Sequence, residues 1–271
     1  PRPRHIFCAG RICAAAAAAI ALCACGPSRT PADIAAEKGI LLIGNAADPS
    51  TLDPALATGF GEFKILSGLF EGLVGANPET LEPEPAAAKS WEILDGGKKY
   101  VFHMDERAKW SDGSRVEAGD FVFAWRRALL PQIGCEYASL FAPIKNAEKI
   151  RSGEEKDVSK LGARAEGAGT LVVELERPAP HFLSMLCHSA FFPLHRKSLE
   201  KFGAQSARKS EWTRPGNMVS NGPFKLAAWS INDRVSLRRN PHYRAPERLF
   251  LNGADFFPIS NINTEDRAFR T

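Results

Sequence analysis

The chain has 271 residues, 44% of them hydrophobic and 24% charged. That is enough apolar mass for one large domain or two smaller ones, and it argues against a disordered chain. The formal net charge of +4 includes Arg2, Arg4 and Arg11, in an opening stretch without an acid; residues 25–271 carry 32 basic and 31 acidic side chains. Such a balance argues against a nucleic-acid partner, because neutralising phosphates needs a basic surplus.

The first segment reads as targeting rather than fold. Arg2, Arg4 and Arg11 precede an apolar stretch of 13 residues, Ile12 to Ala24, too short to span a bilayer and suited to a signal peptide. It ends Leu22-Cys23-Ala24-Cys25-Gly26, which resembles the bacterial lipobox. Residues 1–24 are then a lipoprotein signal peptide, and Cys25 is the lipidated first residue of the mature chain. A plain secretory signal is the alternative. Two or more acyl chains on Cys25 would anchor the protein stably, where one would not. Of the six cysteines, only Cys135 and Cys187 fall in the folded part. Export permits a disulfide, but the reading is two separate buried thiols.

Residues 25–39 read as a tether. Ile40-Leu41-Leu42-Ile43, bounded by Gly39 and Gly44, predicts a buried strand. Asp48-Pro49-Ser50-Thr51-Leu52-Asp53-Pro54 is dense in turn formers and predicts a loop. Glu62 to Val74 carries Phe63, Leu66, Leu69, Phe70 and Leu73 at helical spacing. Pro78 to Pro85 reads as a loop. A hairpin follows, with Trp91–Leu94 and Lys98–Met104 around Asp95-Gly96-Gly97. Trp110 to Gly113 is a turn, Asp120 to Leu130 a helix stopped by Pro131, and Tyr137 to Ile150 contains a further helix. Leu171 to Glu176 alternates as a strand. Phe224–Trp229 and Val235–Arg239 form a second hairpin around Asn232-Asp233. Mixed strands and helices point to an α/β or α+β fold.

Catalytic signatures are missing: the sequence has no G-x-S-x-G, no H-E-x-x-H and no P-loop. His181, His188 and His195 are spaced by seven, with Cys187 alongside, but Pro193 interrupts the run, and Phe182, Leu183, Met185, Leu186, Phe191 and Phe192 make it a packing segment. The expectation is no metal, no cofactor and no enzyme. Asp112 and Asp120 fit a turn and a helix start better than a paired acid and base. Trp91, Trp110, Trp125 and Trp229 are read as core and hairpin residues.

Four stretches carry a family resemblance. The first is Asp48-Pro49-Ser50-Thr51-Leu52-Asp53-Pro54 with Leu69-Phe70-Glu71-Gly72-Leu73. The second, most specific, runs from Ala88 through Ser90-Trp91, Tyr100-Val101-Phe102 and Lys109-Trp110-Ser111-Asp112-Gly113 to Asp120-Phe121-Val122-Phe123-Ala124-Trp125-Arg126-Arg127. The third is Asn146-Ala147-Glu148-Lys149-Ile150 with Leu161-Gly162, Thr170-Leu171 and Pro178-Ala179-Pro180-His181-Phe182. The fourth is Val219-Ser220-Asn221-Gly222-Pro223-Phe224-Lys225-Leu226 with Trp229 and Asn240-Pro241-His242-Tyr243. Together they resemble the oligopeptide-binding branch of the family-5 extracellular solute-binding proteins of ABC importers. One departure is Glu117, a poorer N-cap than the family's usual Thr.

The resemblance implies a type II periplasmic-binding-protein-like fold, in which two lobes close on ligand. Residues 40–71 and 196–271 then belong to the first lobe, incomplete here, and 72–195 to a domain inserted in it. A second lobe with the groups that hold peptide termini is expected beyond residue 271. Thr58, Gly59 and Phe60 are the implied main-chain contacts, and Tyr137 the implied contacting aromatic. The implied partners are an oligopeptide ligand and an ABC permease and ATPase complex, with membrane contact through the lipid alone. The implied state is a monomer, lipid-anchored in the periplasm or at the cell surface. Dipeptide, nickel, haem or sugar cargo, a non-functional truncated product and a lipid-anchored hydrolase are the alternatives.

Overall fold

The computed structural model describes residues 29–270, so the stretch read as a signal peptide, residues 1–24, and Cys25 lie outside the described residues. A helix, α1 (Pro31–Glu37), replaces much of the expected tether. Thr30 Oγ1 accepts from the Asp33 N–H at 3.1 Å, and the Asp33 carboxylate accepts from the Thr30 N–H at 2.9 Å. This reciprocal cap, with Pro31 in the first turn, fixes the helix start.

The ends of the described chain build one sheet. β1 (Ile40–Gly44) runs parallel to β10 (Gly253–Phe257), which pairs antiparallel with β9 (Arg234–Arg239), itself paired with β8 (Phe224–Ser230). The β8–β9 hairpin is the expected one, and Asn232 supplies the positive φ of 59° at its turn. β1 is not buried as expected. Among the described residues it lies at the edge of the sheet, and Leu41 and Leu42 are 46% and 37% exposed.

The helix expected from 62 to 74 is α2 (Phe60–Leu69). It stops because Phe70 is extended, at φ −124° and ψ 157°, and the Leu69 carbonyl accepts from the Gly222 N–H at 2.8 Å instead. Val74 then opens β2 (Val74–Ala76). Its partner β3 (Pro83–Pro85) lies within the expected loop 78–85.

The middle of the chain builds a separate antiparallel sheet in the order β4-β5-β7-β6: β4 (Ala88–Leu94), β5 (Lys99–Met104), β7 (Thr170–Glu174) and β6 (Ala163–Glu166). Tyr100, Phe102 and Met104 alternate inward along β5, as the period of two requires. α3 (Ala118–Ala128) covers this sheet. It starts two residues earlier than expected because the Asp120 carboxylate takes the Glu117 N–H at 2.9 Å. Trp125 sits at its centre, fully buried, with its indole N–H on the Phe191 carbonyl at 2.9 Å and its ring edge-on to Phe121, Phe141 and Phe191. One such ring removes about 150–250 Å² from water, roughly 4–6 kcal/mol of stabilisation as an upper figure.

The helix expected within 137–150 is two short pieces, a 3₁₀ turn (Ala138–Phe141) and α4 (Ala147–Ser152), separated by Pro143 and by Asn146 at φ 64°. The histidine segment is likewise broken, into α5 (Phe182–Met185), a 3₁₀ turn and α6 (Arg196–Lys201). The last helix described is α7 (Ile262–Arg270). Cys135 is buried and Cys187 half-buried, and neither is in a disulfide. Trp110 and Trp125 are core residues; Trp91 and Trp229 pack against the core from its rim. No described helix is long and apolar enough to cross a membrane.

Candidate functional site

The loop 48–58 is ordered from inside. Asp53 Oδ1 accepts from the Ala55 N–H at 3.0 Å, and the Asp53 carbonyl accepts from the Leu56 and Ala57 N–H groups. The Asp53 carboxylate also receives both terminal nitrogens of Arg127, at 3.1 and 2.7 Å, with both side chains almost wholly buried. Arg127 Nε donates to the Ala204 carbonyl at 2.9 Å. Cys135 lies beside this pair, and burial pushes its thiol up to about 11.

The loop delivers Thr58 to the surface, followed by Gly59 as N-cap of α2 and Phe60 as its first residue. Gly59 has φ −88° and ψ 151°, a conformation open to any residue. Its lack of a side chain matters for another reason. A Cβ there would stand 2.0 Å from Glu62 Oε2, and Glu62 Oε1 accepts from the Ser50 N–H and hydroxyl at 2.9 and 3.0 Å. Phe60 is 77% exposed, with the Lys64 ammonium 5.6 Å from its ring centre.

Tyr137 arrives from the other sheet's side. Its hydroxyl donates to the Thr58 carbonyl at 3.1 Å. The structure therefore brings together Thr58 and Tyr137, with Gly59 and Phe60 adjoining in sequence. His188 joins them: its ring stands edge-on to Tyr137 with centroids 4.5 Å apart, and Phe63 lies 6.3 Å beyond. His188 Nδ1 accepts from the Ala190 N–H at 3.1 Å, which places the proton of the neutral ring on Nε2. Burial lowers its pKa. In the sequence His188 belongs to the stretch whose apolar residues mark a packing segment. No local signal marks it as a neighbour of Tyr137, since only the tertiary fold brings the two together.

The other histidines lie elsewhere. His181 is exposed. His195 packs edge-on to Trp110 at 5.3 Å and places Nε2 3.6 Å from Asp112. The described residues hold no cluster of metal-ligating side chains. Asp120 Oδ2 receives the Trp110 indole N–H at 3.1 Å as well as the Glu117 N–H. Burial, set against those two bonds, pushes its carboxyl up to about 6. For Asp112 burial acts upward, but the bonds from Ser114 and the nearby His195 together hold its carboxyl below the ordinary value.

The model of the bacterial extracellular solute-binding proteins, family 5 (middle region), matches residues 82–271. The chain belongs to this family. A relative in Escherichia coli, the probable deoxycholate-binding periplasmic protein YgiS, is 37% identical over 246 residues, covering 90% of this chain and 44% of that protein. The periplasmic oligopeptide-binding protein OppA of Salmonella typhimurium is 36% identical over 257 residues, covering 94% of this chain and 46% of its own length. Among solved structures, Haemophilus influenzae OppA in complex with the peptide RPPGFSPFR superposes with a TM-score of 0.80 at 36% identity, over 86% of this chain and 44% of that one. The type II binding-protein fold follows from such structural neighbours. The chain spans less than half the length of the relatives it matches.

Proposed function

We propose that this chain belongs to an extracytoplasmic solute-binding component of an ABC importer that captures oligopeptides in extended form. The observation that carries this reading is the Tyr137 hydroxyl on the Thr58 carbonyl, which joins segments 79 residues apart into one surface. Thr58, Gly59 and Phe60 offer main chain beside an aromatic ring. Main-chain bonds hold an extended peptide without reading its sequence, and Tyr adds ring area and a hydroxyl. Relatives named as oligopeptide-binding, one solved with a bound peptide, support the same reading.

In this reading residues 40–71 and 196–271 form the first lobe and 72–195 the inserted domain. The two separate four-stranded sheets, one from 40–44 and 224–257 and the other from 88–174, support that division. The partners are a peptide and an ABC permease with its ATPase. Cys25 carries the lipid, and the protein acts as a monomer in the periplasm or at the cell surface.

The test uses the three tyrosines, Tyr100, Tyr137 and Tyr243, labelled with carbon-13 at the phenol carbon. Adding tri- to pentapeptides should move the Tyr137 resonance and leave the other two in place. The described contacts form a single surface, so an affinity near millimolar, about −4 kcal/mol, is expected. A Tyr137 resonance that stays still at about 10 mM peptide sinks the reading. Deoxycholate in the same titration tests a second reading, suggested by the exposed Phe60 ring beside the Lys64 ammonium.

A further inference from the structure

The buried Asp53–Arg127 pair is joined by a short stretch of chain to Thr58 on one side and to Tyr137 on the other. Asp53 stands five residues before Thr58 and organises the intervening turn: its side chain receives the Ala55 N–H and its carbonyl the Leu56 and Ala57 N–H groups. Arg127 stands in the last turn of α3, ten residues before Tyr137. The intervening backbone is fixed by the Ile133 N–H on the Leu130 carbonyl, the Gly134 N–H on the Pro131 carbonyl and the Ala138 N–H on the Cys135 carbonyl. Arg127 reaches a third segment through the Ala204 carbonyl. A planar guanidinium bonded at Nε, Nη1 and Nη2 has little rotational freedom left, so it fixes direction as well as distance.

We propose that the buried Asp53–Arg127 pair is the positioning element that sets the spacing of Thr58 from Tyr137, and with it the shape of the surface offered to ligand. The pair touches no ligand itself. It acts through the two short segments that run from it to the surface. Other ion pairs are arranged differently: Glu71–Arg244 is also largely buried, but it ties Glu71 to the segment after β9. The proposal rests on the peptide-surface reading above only for its consequence, not for its geometry.

The experiment compares Asp53→Asn, Arg127→Lys and Glu71→Gln in the tyrosine-labelled chain. Asn keeps the shape of Asp53 but lacks its charge; Lys keeps the charge of Arg127 but can neither grip Asp53 at two atoms nor reach Ala204 as well. Both variants should move the Tyr137 resonance toward that of a phenol bonded to water. Glu71→Gln should lower stability and leave Tyr137 unmoved, as a merely structural role would. A Tyr137 resonance unchanged in either folded Asp53 or Arg127 variant overturns the proposal.

If neither variant folds, hydrogen exchange on the unmodified chain decides. The Leu56, Ala57 and Ala138 amides should open together, at rates within about threefold once corrected for intrinsic exchange. Rates differing by more than about tenfold would show two independent units and overturn the proposal. Peptide titration separates the two ideas. Tyr137 moved by Asp53→Asn but indifferent to peptide leaves the positioning role standing and removes the peptide surface.

Discussion

Asn221 holds the peptide backbone of Glu71 from both sides. Its side-chain oxygen accepts from the Glu71 N–H at 3.1 Å, and its side-chain amide donates to the Glu71 carbonyl at 2.8 Å, across 150 residues of chain. Gly222 follows, so close to the end of α2 that a Cβ would lie 2.6 Å from the Leu69 carbonyl carbon. The Asn-Gly-Pro turn is therefore a weld between the end of α2 and the start of β8.

Two substitutions should break that weld. Asn221→Ala removes two part-buried bonds and leaves the Glu71 N–H and carbonyl without those partners, a loss of about 1–3 kcal/mol. Gly222→Ala forces backbone apart rather than a flexible side chain, and should cost about 2–3 kcal/mol. Urea unfolding of both variants checks this; midpoints within error of the parent would show that the contact is not made.

Stability should respond to Asp120 in an unusual direction for an acid. Its carboxyl is raised from 3.8 to about 6, chiefly by burial, so the folded form holds the proton more tightly than the unfolded one. That contribution is present in full below pH 4 and lost as pH rises through 6. A rise of that size is equivalent to at most about 3 kcal/mol, less where solvent screens the group. Asp120→Asn, which can still accept from Trp110 and Glu117, should gain about 1–3 kcal/mol over the parent at pH 7 and match it near pH 3.5. Comparing the two proteins cancels the opposite trend of Asp105 and Asp112, whose values are lowered. Parallel pH curves for variant and parent would refute the assignment.

The two thiols should react slowly in the folded protein. Burial raises both, Cys135 to about 11, and the thiolate is the reacting form. Alkylation at pH 8, mapped to Cys135 by mass spectrometry, should run on the order of 100-fold slower than in urea. A non-reducing digest should yield no peptide joining Cys135 to Cys187. Recovery of such a peptide, or fast native labelling at Cys135, would contradict the packing.

Gly59→Val separates binding from folding. The backbone at Gly59 accepts any residue, and the obstacle is the Glu62 carboxylate, which can swing away at the loss of its Ser50 bonds. The melting temperature should change little, by an amount equivalent to less than about 1 kcal/mol, since the bonds lost are exposed. Peptide response at Tyr137 should weaken as the valine crowds the main chain. An unfolded variant would show that Glu62 cannot move; an unchanged peptide response would remove Gly59 from the surface.

Elements whose cause is local were readable in the residues. Both hairpins are fixed by their turns, Asp95-Gly96-Gly97 and Asn232-Asp233. The alternation of β5 is complete because one face meets the core. β6 and β10 carry little local signal: Ala163-Arg164-Ala165-Glu166 has no β-branched or aromatic residue, and in Gly253-Ala254-Asp255-Phe256-Phe257 the two aromatics follow three poor strand formers; both are strands because their neighbours hydrogen-bond them. α1 did carry a readable signal, Thr30-Pro31 with Asp33, which composition alone conceals. At the site, Thr58, Gly59, Phe60 and Tyr137 were reached through family resemblance, and no periodicity singles them out. His188 and the grip of Arg127 on Asp53 depend on contacts 51 to 74 residues away in sequence, which no window of sequence contains.

The pairing of β1 with β10 has a consequence for the order of events during synthesis. Ile40 lies opposite Gly253, so the first strand of this sheet waits for a partner made more than roughly 200 residues later, some 10–40 s at ordinary ribosome speeds. The sheet built from residues 88–174 has no such wait, since all four strands have left the tunnel long before β10 exists. Through that interval residues 40–44 lack the partner they have in the fold, and the apolar Leu41 and Leu42 stay open to a chaperone or to another copy of the chain.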